Sequence, residues 1–283
     1  MCCCCNDFLM VDALVSRWRY YKVGGTYPAA TLSVSSAVVE QSATGISAID
    51  YRSKLFFMGI TPCRKWSFSL GATLGDVGNL NIPDSSFGAR LASDWRNQRI
   101  YYASRVSHDD LGMPPVHVWQ VRRINYDGTD DVQLTTETTV DAQLPVNAFI
   151  NHLAYEPVNN RIYYSWVYVK EYGADANQFA YIKYVDADDG TGKTTVTTLE
   201  DTTNLAGDYL IRSIDVAAGQ NKIVWTQEHA AIEPAKIQLM NLDGSGLTAV
   251  WTHPDVVSPN RLAFAQYSEK EDKIFFSKRK SPF

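Results

Sequence analysis

One pattern returns along this chain and restricts its fold more than any other feature. Five segments share a short apolar strand, a polar turn, a basic or polar residue and a run of aliphatic and aromatic residues: SAIDYRSKLFFMG (47–59), RLASDWRNQRIYYAS (90–104), HLAYEPVNNRIYYSW (152–166), RSIDVAAGQNKIVWTQ (212–227) and RLAFAQYSEKEDKIFFSK (261–278). Each reads as a hairpin. A second kind of hairpin, apolar alternation on both sides of a glycine-containing turn, occurs at 19–34, 122–134, 182–199 and 237–251, glycine supplying the positive φ of a tight turn. Together the two kinds make four strands per unit, with starts separated by 43, 62, 60 and 49 residues. That is the spacing of β-propeller blades.

The expected fold is therefore all-β, a propeller of four-stranded antiparallel blades. No long window sustains a 3.6-residue apolar period. The last unit holds two strands and the segment from Arg17 to Ser35 holds an unmatched pair. Joining them would complete a blade and remove an exposed edge. This gives five blades, or six if Ser67 to Asn81 hides irregular strands, closed by pairing of the N- and C-terminal strands. Residues 1–16 read as an N-terminal tail and 17–283 as a single domain.

The glycine turns also dispose of a tempting motif. DADDGTGKTTV (186–196) ends in Gly192-Lys193-Thr194, as a phosphate-binding loop would, but the required first glycine is Ala187. Asp188 and Asp189 would stand inside the phosphate cradle, and the β-branched run after Thr194 favours a strand over the helix such a loop needs. Gly190 to Lys193 is a hairpin turn.

Composition excludes several partners. The 283 residues carry a net charge of −5, with 45% hydrophobic and 20% charged residues, so the chain can bury a full core and lacks the basic excess that nucleic-acid binding draws on. No window reaches the ~20 apolar residues that span a bilayer. In the opening stretch MCCCCNDFLMVDALV, Asp7 and Asp12 interrupt any apolar run and no basic region precedes it, so no export signal is expected. Cysteines stand at 2–5 and 63 only, and no Asn-x-Ser/Thr sequon occurs. An intracellular, cytoplasmic location is the corresponding expectation.

The pieces IYYS (162–165), IVWT (223–226) and NLDGSG (241–246) resemble the YWTD-type propeller repeat, whose blades carry an Ile-Tyr-Trp-Thr-Asp-like second strand and an Asn-Leu-Asp-Gly-Ser turn. The resemblance covers most of the chain and is specific in Lys222 to Trp251. The Asp that closes the YWTD element is Ser104, Trp166 or Gln227 here. The likeness implies the propeller fold, and a protein or glycan as partner.

Candidate site residues follow from propeller geometry. Aligning the units by their opening residues puts Ser47, Arg90, His152, Arg212 and Arg261 in one column. Like charges sharing an axis are costly unless an anion or polar ligand joins them, so Arg90, His152, Arg212 and Arg261 are the candidate catalytic groups. Ser47 is a candidate substrate contact. The connections after the second strands, 61–66, 105–116, 167–178 and 228–234, add Trp66, Trp166, Tyr168 and Tyr172, with Tyr209 beside them, as walls for an apolar ligand. His108 beside Asp109 and Asp110 reads as a solvated loop, and the Asp-rich turns lack the distal glutamate of a calcium loop. No metal or cofactor is expected, and hydrolase, redox and kinase signatures are missing.

Two functions fit. In general character, a propeller with aromatic loops and no catalytic motif, the chain is similar to the fungal propeller proteins that act as hetero-Diels–Alderases in tropolone-sesquiterpene biosynthesis. That resemblance would imply a cofactor-free cyclase of secondary-metabolite biosynthesis, holding a small apolar organic molecule in a near-attack pose with a hydrogen bond to a carbonyl. The alternative is a YWTD-like propeller that binds a protein or glycan without catalysis.

Overall fold

In the computed structural model the described residues are 91–108, 117–139, 145–170, 178–201, 209–229, 234–254, 261–269 and 272–279, together with seven strands within 7–80. Side chains are described over 91–106, 117–139, 148–167, 180–199, 211, 213–227 and 234–254, and at positions between 265 and 276. Two compact units divide the chain, 1–104 with 123–132 and 105–122 with 133–283.

The strands follow one another as antiparallel meanders. β1 (Asp7–Asp12), β2 (Arg17–Lys22) and β3 (Ala30–Ser33) form a three-stranded sheet. Next comes a four-stranded sheet of β4 (Ile46–Asp50), β5 (Leu55–Met58), β6 (Cys63–Ser67) and β7 (Gly75–Leu80). A second consists of β8 (Leu91–Asp94), β9 (Arg99–His108), β10 (His117–Asn125) and β11 (Val132–Thr138). The third is β12 (Pro145–Glu156), β13 (Arg161–Lys170), β14 (Gln178–Asp186) and β15 (Thr194–Asp201). A fourth contains β16 (Tyr209–Ala217), β17 (Lys222–His229), β18 (Lys236–Asn241) and β19 (Thr248–Thr252). The hairpin β20 (Arg261–Ser268) and β21 (Lys273–Arg279) follows. Among the described residues the one helical element is a 3-10 turn, Ala218–Gln220, and no helix is long and apolar enough to cross a membrane. Four-stranded meanders in series make this an all-β fold of the β-propeller type.

The ladders at the two chain ends are local. β2 pairs with β1 along one edge (Leu9 opposite Tyr20) and with β3 along the other (Trp18 opposite Leu32), while β20 and β21 form a sheet of their own. A strand has two edges, and short local hairpins, with little loop-closure entropy to overcome, occupy both edges of β2. The strand responsible, Asp7–Asp12, lies inside the segment read as a tail. The weak hairpin signal at 67–81 contains β7, the fourth strand of its sheet.

Small repeated devices hold the meanders from β8 onward. The turn between the first two strands ends in a left-handed residue, Gln98 (φ 52°), Asn160 (φ 54°), Asn221 (φ 56°) or Asp272 (φ 51°). Its carbonyl accepts the N–H that opens the later turn of the same sheet: Tyr126 N to Gln98 O at 2.8 Å, Ala187 N to Asn160 O at 2.9 Å, and Leu242 N to Asn221 O at 3.2 Å. The buried carboxylates of Asp94 and Glu156 cap their turns by accepting backbone N–H groups of Arg96 and Asn97, and of Val158 and Asn159. The turns 125–129 and 241–245 are alike bond for bond. Asp127 accepts from the Thr129 N–H and hydroxyl, and Asp243 from the Ser245 N–H and hydroxyl.

Four first strands, β4, β12, β16 and β20, carry a bulge near their start, between Ile46 and Ala48, Ile150 and Leu153, Ile211 and Ser213, and Leu262 and Phe264. A bulge removes a ladder partner from a backbone N–H. Hydroxyls of the second strand replace it: His152 N donates to Ser165 Oγ at 3.0 Å, and Ser213 N to Thr226 Oγ1 at 3.1 Å. Both hydroxyls are fully buried. Thr226→Val should therefore destabilise the fold by about 1–3 kcal/mol, the cost of orphaning a buried N–H, whereas Thr198→Val at an exposed strand position should leave it nearly unchanged. Urea denaturation of the two variants checks this.

Candidate functional site

The ladders set which residues of different sheets are equivalent. Leu91 faces Tyr102, Leu153 faces Tyr164, Ile214 faces Trp225, Ala265 faces Phe276 and Ala48 faces Phe57. One residue before these stand Ser47, Arg90, His152, Ser213 and Phe264. Arg212 thus falls one residue ahead of the column and Arg261 three residues ahead, which corrects the register read from sequence. The aromatic and aliphatic residues of the second strand pin the register through packing, and a basic residue at the strand opening is free to shift with the bulge.

His152 is the one candidate catalytic group with a described side chain. Its Nδ1 accepts the N–H of Ile214 on β16 at 3.1 Å. Accepting through Nδ1 places the proton on Nε2 and leaves the ring neutral in this arrangement. Its neighbour Asn151 donates through Nδ2 to Ile211 O. Further along, Ser213 Oγ accepts from Ala265 N at 2.9 Å and Asp215 Oδ2 from Tyr267 N at 2.8 Å. Side chains of each first strand thus satisfy the backbone of the next, from β12 to β16 to β20. His152 positions β16, and with it the bulge that carries Arg212.

Trp166, expected to wall a ligand pocket, is 4% exposed and sits mid-ladder between Ile150 and Tyr181. It is a core residue. Ser47, Trp66, Tyr168, Tyr209, Arg212 and Arg261 lie on β4, β6, β13, β16, β16 and β20, and their side chains lie outside the described residues. Arg90 and Tyr172 lie outside them altogether. The expected long connections are shorter than read. β9 runs to His108, β13 to Lys170 and β17 to His229, because pairing satisfies backbone groups that a loop would leave to water. Residues 109–116, 171–177 and 230–233 remain outside the described residues.

In unit two the two ends of each sheet differ. One end holds the capped turns at 157–160 and 218–221. The other holds the pairs Pro145–Lys170 and Tyr209–His229, from which the chain leaves for its longer connections. Tyr168, Tyr209, Arg212 and Arg261 all belong to that second end.

A charged cluster invisible in the sequence pattern joins β11 to the next sheet. Glu137 on β11 accepts from the Tyr164 hydroxyl at 2.7 Å, Lys183 Nζ at 2.8 Å and Lys193 Nζ at 2.7 Å. Lys193 also donates to Thr136 O at 2.9 Å. Burial alone would raise the Glu137 carboxyl, but the hydrogen bonds of Lys183, Lys193 and Tyr164 outweigh it and hold the group below its ordinary range. Burial and the facing carboxylate push the Tyr164 phenol up, so it stays a donor. The would-be phosphate-binding lysine is a clamp between sheets.

The turn glycine beside it explains why this turn has its sequence. At Gly190 (φ 75°) an added Cβ would lie 1.9 Å from Leu134 O on β11, and at Gly244 (φ 90°) 2.5 Å from Val196 O on β15. Leu134 and Val196 each stand six residues after the turn glycine of their own sheet, Gly128 and Gly190, so one contact repeats at successive sheet junctions. Among the described residues no group of three or more His, Cys, Asp or Glu side chains could hold a metal ion.

No family model and no curated protein sequence matches the chain. Among solved structures it is similar to Kuenenia stuttgartiensis hydrazine synthase, with 8% identity over 96% of this chain and 70% of that one, at a TM-score of 0.52. At that identity the likeness speaks for the fold alone. Similarity also extends to the nidogen/laminin complex, with 15% identity over 78% of this chain and 68% of the other at a TM-score of 0.48. An oligogalacturonate lyase in complex with manganese has 12% identity over 83% and 65%, at a TM-score of 0.42.

Two substitutions at the turn separate strain from packing. Gly190→Ala should cost about 3 kcal/mol or more, from its left-handed φ and the backbone clash together. Gly192→Ala, with φ 66° and nothing within 4 Å, should cost about 1 kcal/mol; thermal melts of both variants distinguish them. Glu137→Gln should destabilise by about 3 kcal/mol, because it breaks a buried ion pair, and Lys193→Met, at a half-exposed partner, by under about 1 kcal/mol. A depressed carboxyl contributes stability above its unfolded value of 4.5 and loses it as pH falls through the folded value. Denaturation from pH 7 to 3 should show that acid limb in the parent and not in Glu137→Gln.

Proposed function

We propose that this chain is a ligand-binding propeller, with its site at the end of the unit-two sheets where Tyr168, Tyr209, Arg212 and Arg261 stand and the longer connections leave. The observation that carries the reading is the register. It puts these aromatic and cationic positions at one end of their strands, while the opposite end is closed by turns whose polar groups cap one another. Aromatic faces with a few guanidiniums suit a small apolar organic molecule bearing a carbonyl or anionic oxygen. His152 belongs to this site as a positioning residue, holding β16 through the Ile214 N–H. The enzymatic form of the proposal is a cofactor-free ring closure of hetero-Diels–Alder type, in which the site orients two partners and donates a hydrogen bond to the oxygen that gains charge.

Thermal shift against a panel of lipophilic polycyclic carbonyl compounds tests the binding reading. A ligand at a hundred times its Kd adds about 2.7 kcal/mol to the parent, and Arg212→Ala and Tyr168→Ala should abolish or sharply reduce the shift. No shift with any compound, together with a hit on a glycan or protein array, overturns it in favour of the non-catalytic YWTD-like partner role. Incubating a binding compound with a dienophile, followed by mass spectrometry, tests the ring closure separately. Binding without product removes the enzymatic form and leaves the binding role.

A further inference from the structure

The junction between the β16–β19 sheet and the β20–β21 hairpin is built differently from the other described junctions of unit two. Its polar contacts are Ser213 Oγ with Ala265 N, Asp215 Oδ2 with Tyr267 N at 2.8 Å, and Glu269 Oε1 with Gly219 N at 2.8 Å. Two carboxylates therefore bridge one junction, and both receive backbone N–H groups. The apolar part consists of Val224, Ala235, Ile237 and Ala265, with Leu239, Trp251, Tyr267 and Ile274 packed against them and the Trp251 ring 5.0 Å from that of Phe276.

Three described cations of the neighbouring sheets are engaged elsewhere. Lys183 bonds to Glu137, Arg161 lies over the Tyr184 ring and Lys222 bonds to Asn241. His152 meets β16 through a lone pair. On the hairpin, Tyr267 donates its hydroxyl to Asp272, and Lys273 is exposed. Among the described residues, the charge that acts on Asp215 is that of Glu269, a like charge.

We infer that docking of the β20–β21 hairpin on the β16–β19 sheet is a pH-dependent latch, closed when Asp215 carries a proton and loosened when Asp215 ionises beside Glu269. Asp215 keeps some exposed surface, and its Oδ2 accepts the Tyr267 N–H of β20. Burial pushes it up to about 6, against the Tyr267 and Val216 N–H bonds that lower it, and Glu269 raises it further. A carboxyl raised on folding contributes stability below its unfolded value of 3.8, and that stability is lost as pH rises through about 6. The apolar contacts remain at high pH, so the hairpin loosens without leaving.

Hydrogen exchange read by mass spectrometry, corrected for intrinsic rates, tests the latch on the full chain. Peptides within 261–279 should be about tenfold less protected at pH 7.5 than at pH 5, while peptides within 145–170 keep their protection. Asp215→Asn should remove the dependence, and Glu269→Gln should keep it with a lower midpoint. Equal hairpin protection at both pH values, or an unchanged dependence in Asp215→Asn, overturns the inference. Should Asp215→Asn fail to fold, Glu269→Gln carries the test, and an unmoved midpoint overturns it.

Discussion

The structure of unit two depends on one constraint: the first strands β12, β16 and β20 are bulged, and a bulged strand cannot satisfy its own backbone. Ser165 and Thr226 answer it from within the sheet, and His152, Ser213 and Asp215 answer it for the neighbouring first strand. Backbone hydrogen bonding in this chain is therefore completed by side chains of the adjacent sheet. A single sheet excised from unit two would lose partners for buried N–H groups, which cost free energy when unmet. The meanders of unit two consequently stabilise one another in series.

The outer junctions solve a related problem with interchangeable chemistry. Tyr164 and Trp225 occupy equivalent positions on β13 and β17. Facing them across the preceding sheet are Glu137 and Leu199, each nine residues after its turn glycine. The tyrosine meets a carboxylate held by two lysines. The tryptophan packs in an apolar cluster with Ile182, Ile214 and Met240, against which Leu199 also lies. Its Nε1 is buried without a hydrogen-bond partner, which costs about 1–3 kcal/mol and is offset by the large apolar area of the indole. The turn glycines that touch the preceding sheet at Leu134 and Val196 are indifferent to this choice, because they contact backbone.

How much was legible in the sequence varied with the range of the interaction. The hairpins at 122–134, 182–199 and 237–251 and those at 90–104, 152–166 and 212–227 all stand where alternation and turn chemistry put them. The Gly-Lys-Thr of 192–194 is a turn, as its missing glycine and its acidic residues required. The candidate site was less legible. Aligning units by their basic openings misplaced Arg212 and Arg261, since a bulge leaves no mark in composition. Trp166 belongs to the core, because a tryptophan on a strand looks the same whether its neighbour is solvent or another sheet. Glu137 and Lys183 drew no notice, being an ordinary glutamate and an ordinary lysine until the fold brings residues 46 apart into contact.

What the sequence by itself determined is the local order: strand, turn, strand, at a spacing that admits a propeller, with the capping carboxylates of Asp94 and Glu156 encoded within three residues of the N–H groups they accept. What only the tertiary structure decided is which edge each strand uses, which bulged N–H meets which neighbouring side chain, and which charges are buried together. β2 shows the difference, for its alternation was readable but its partnership with β1 was not. Alternation specifies the face a strand buries, while pairing depends on which competing edge is nearest in the folded chain.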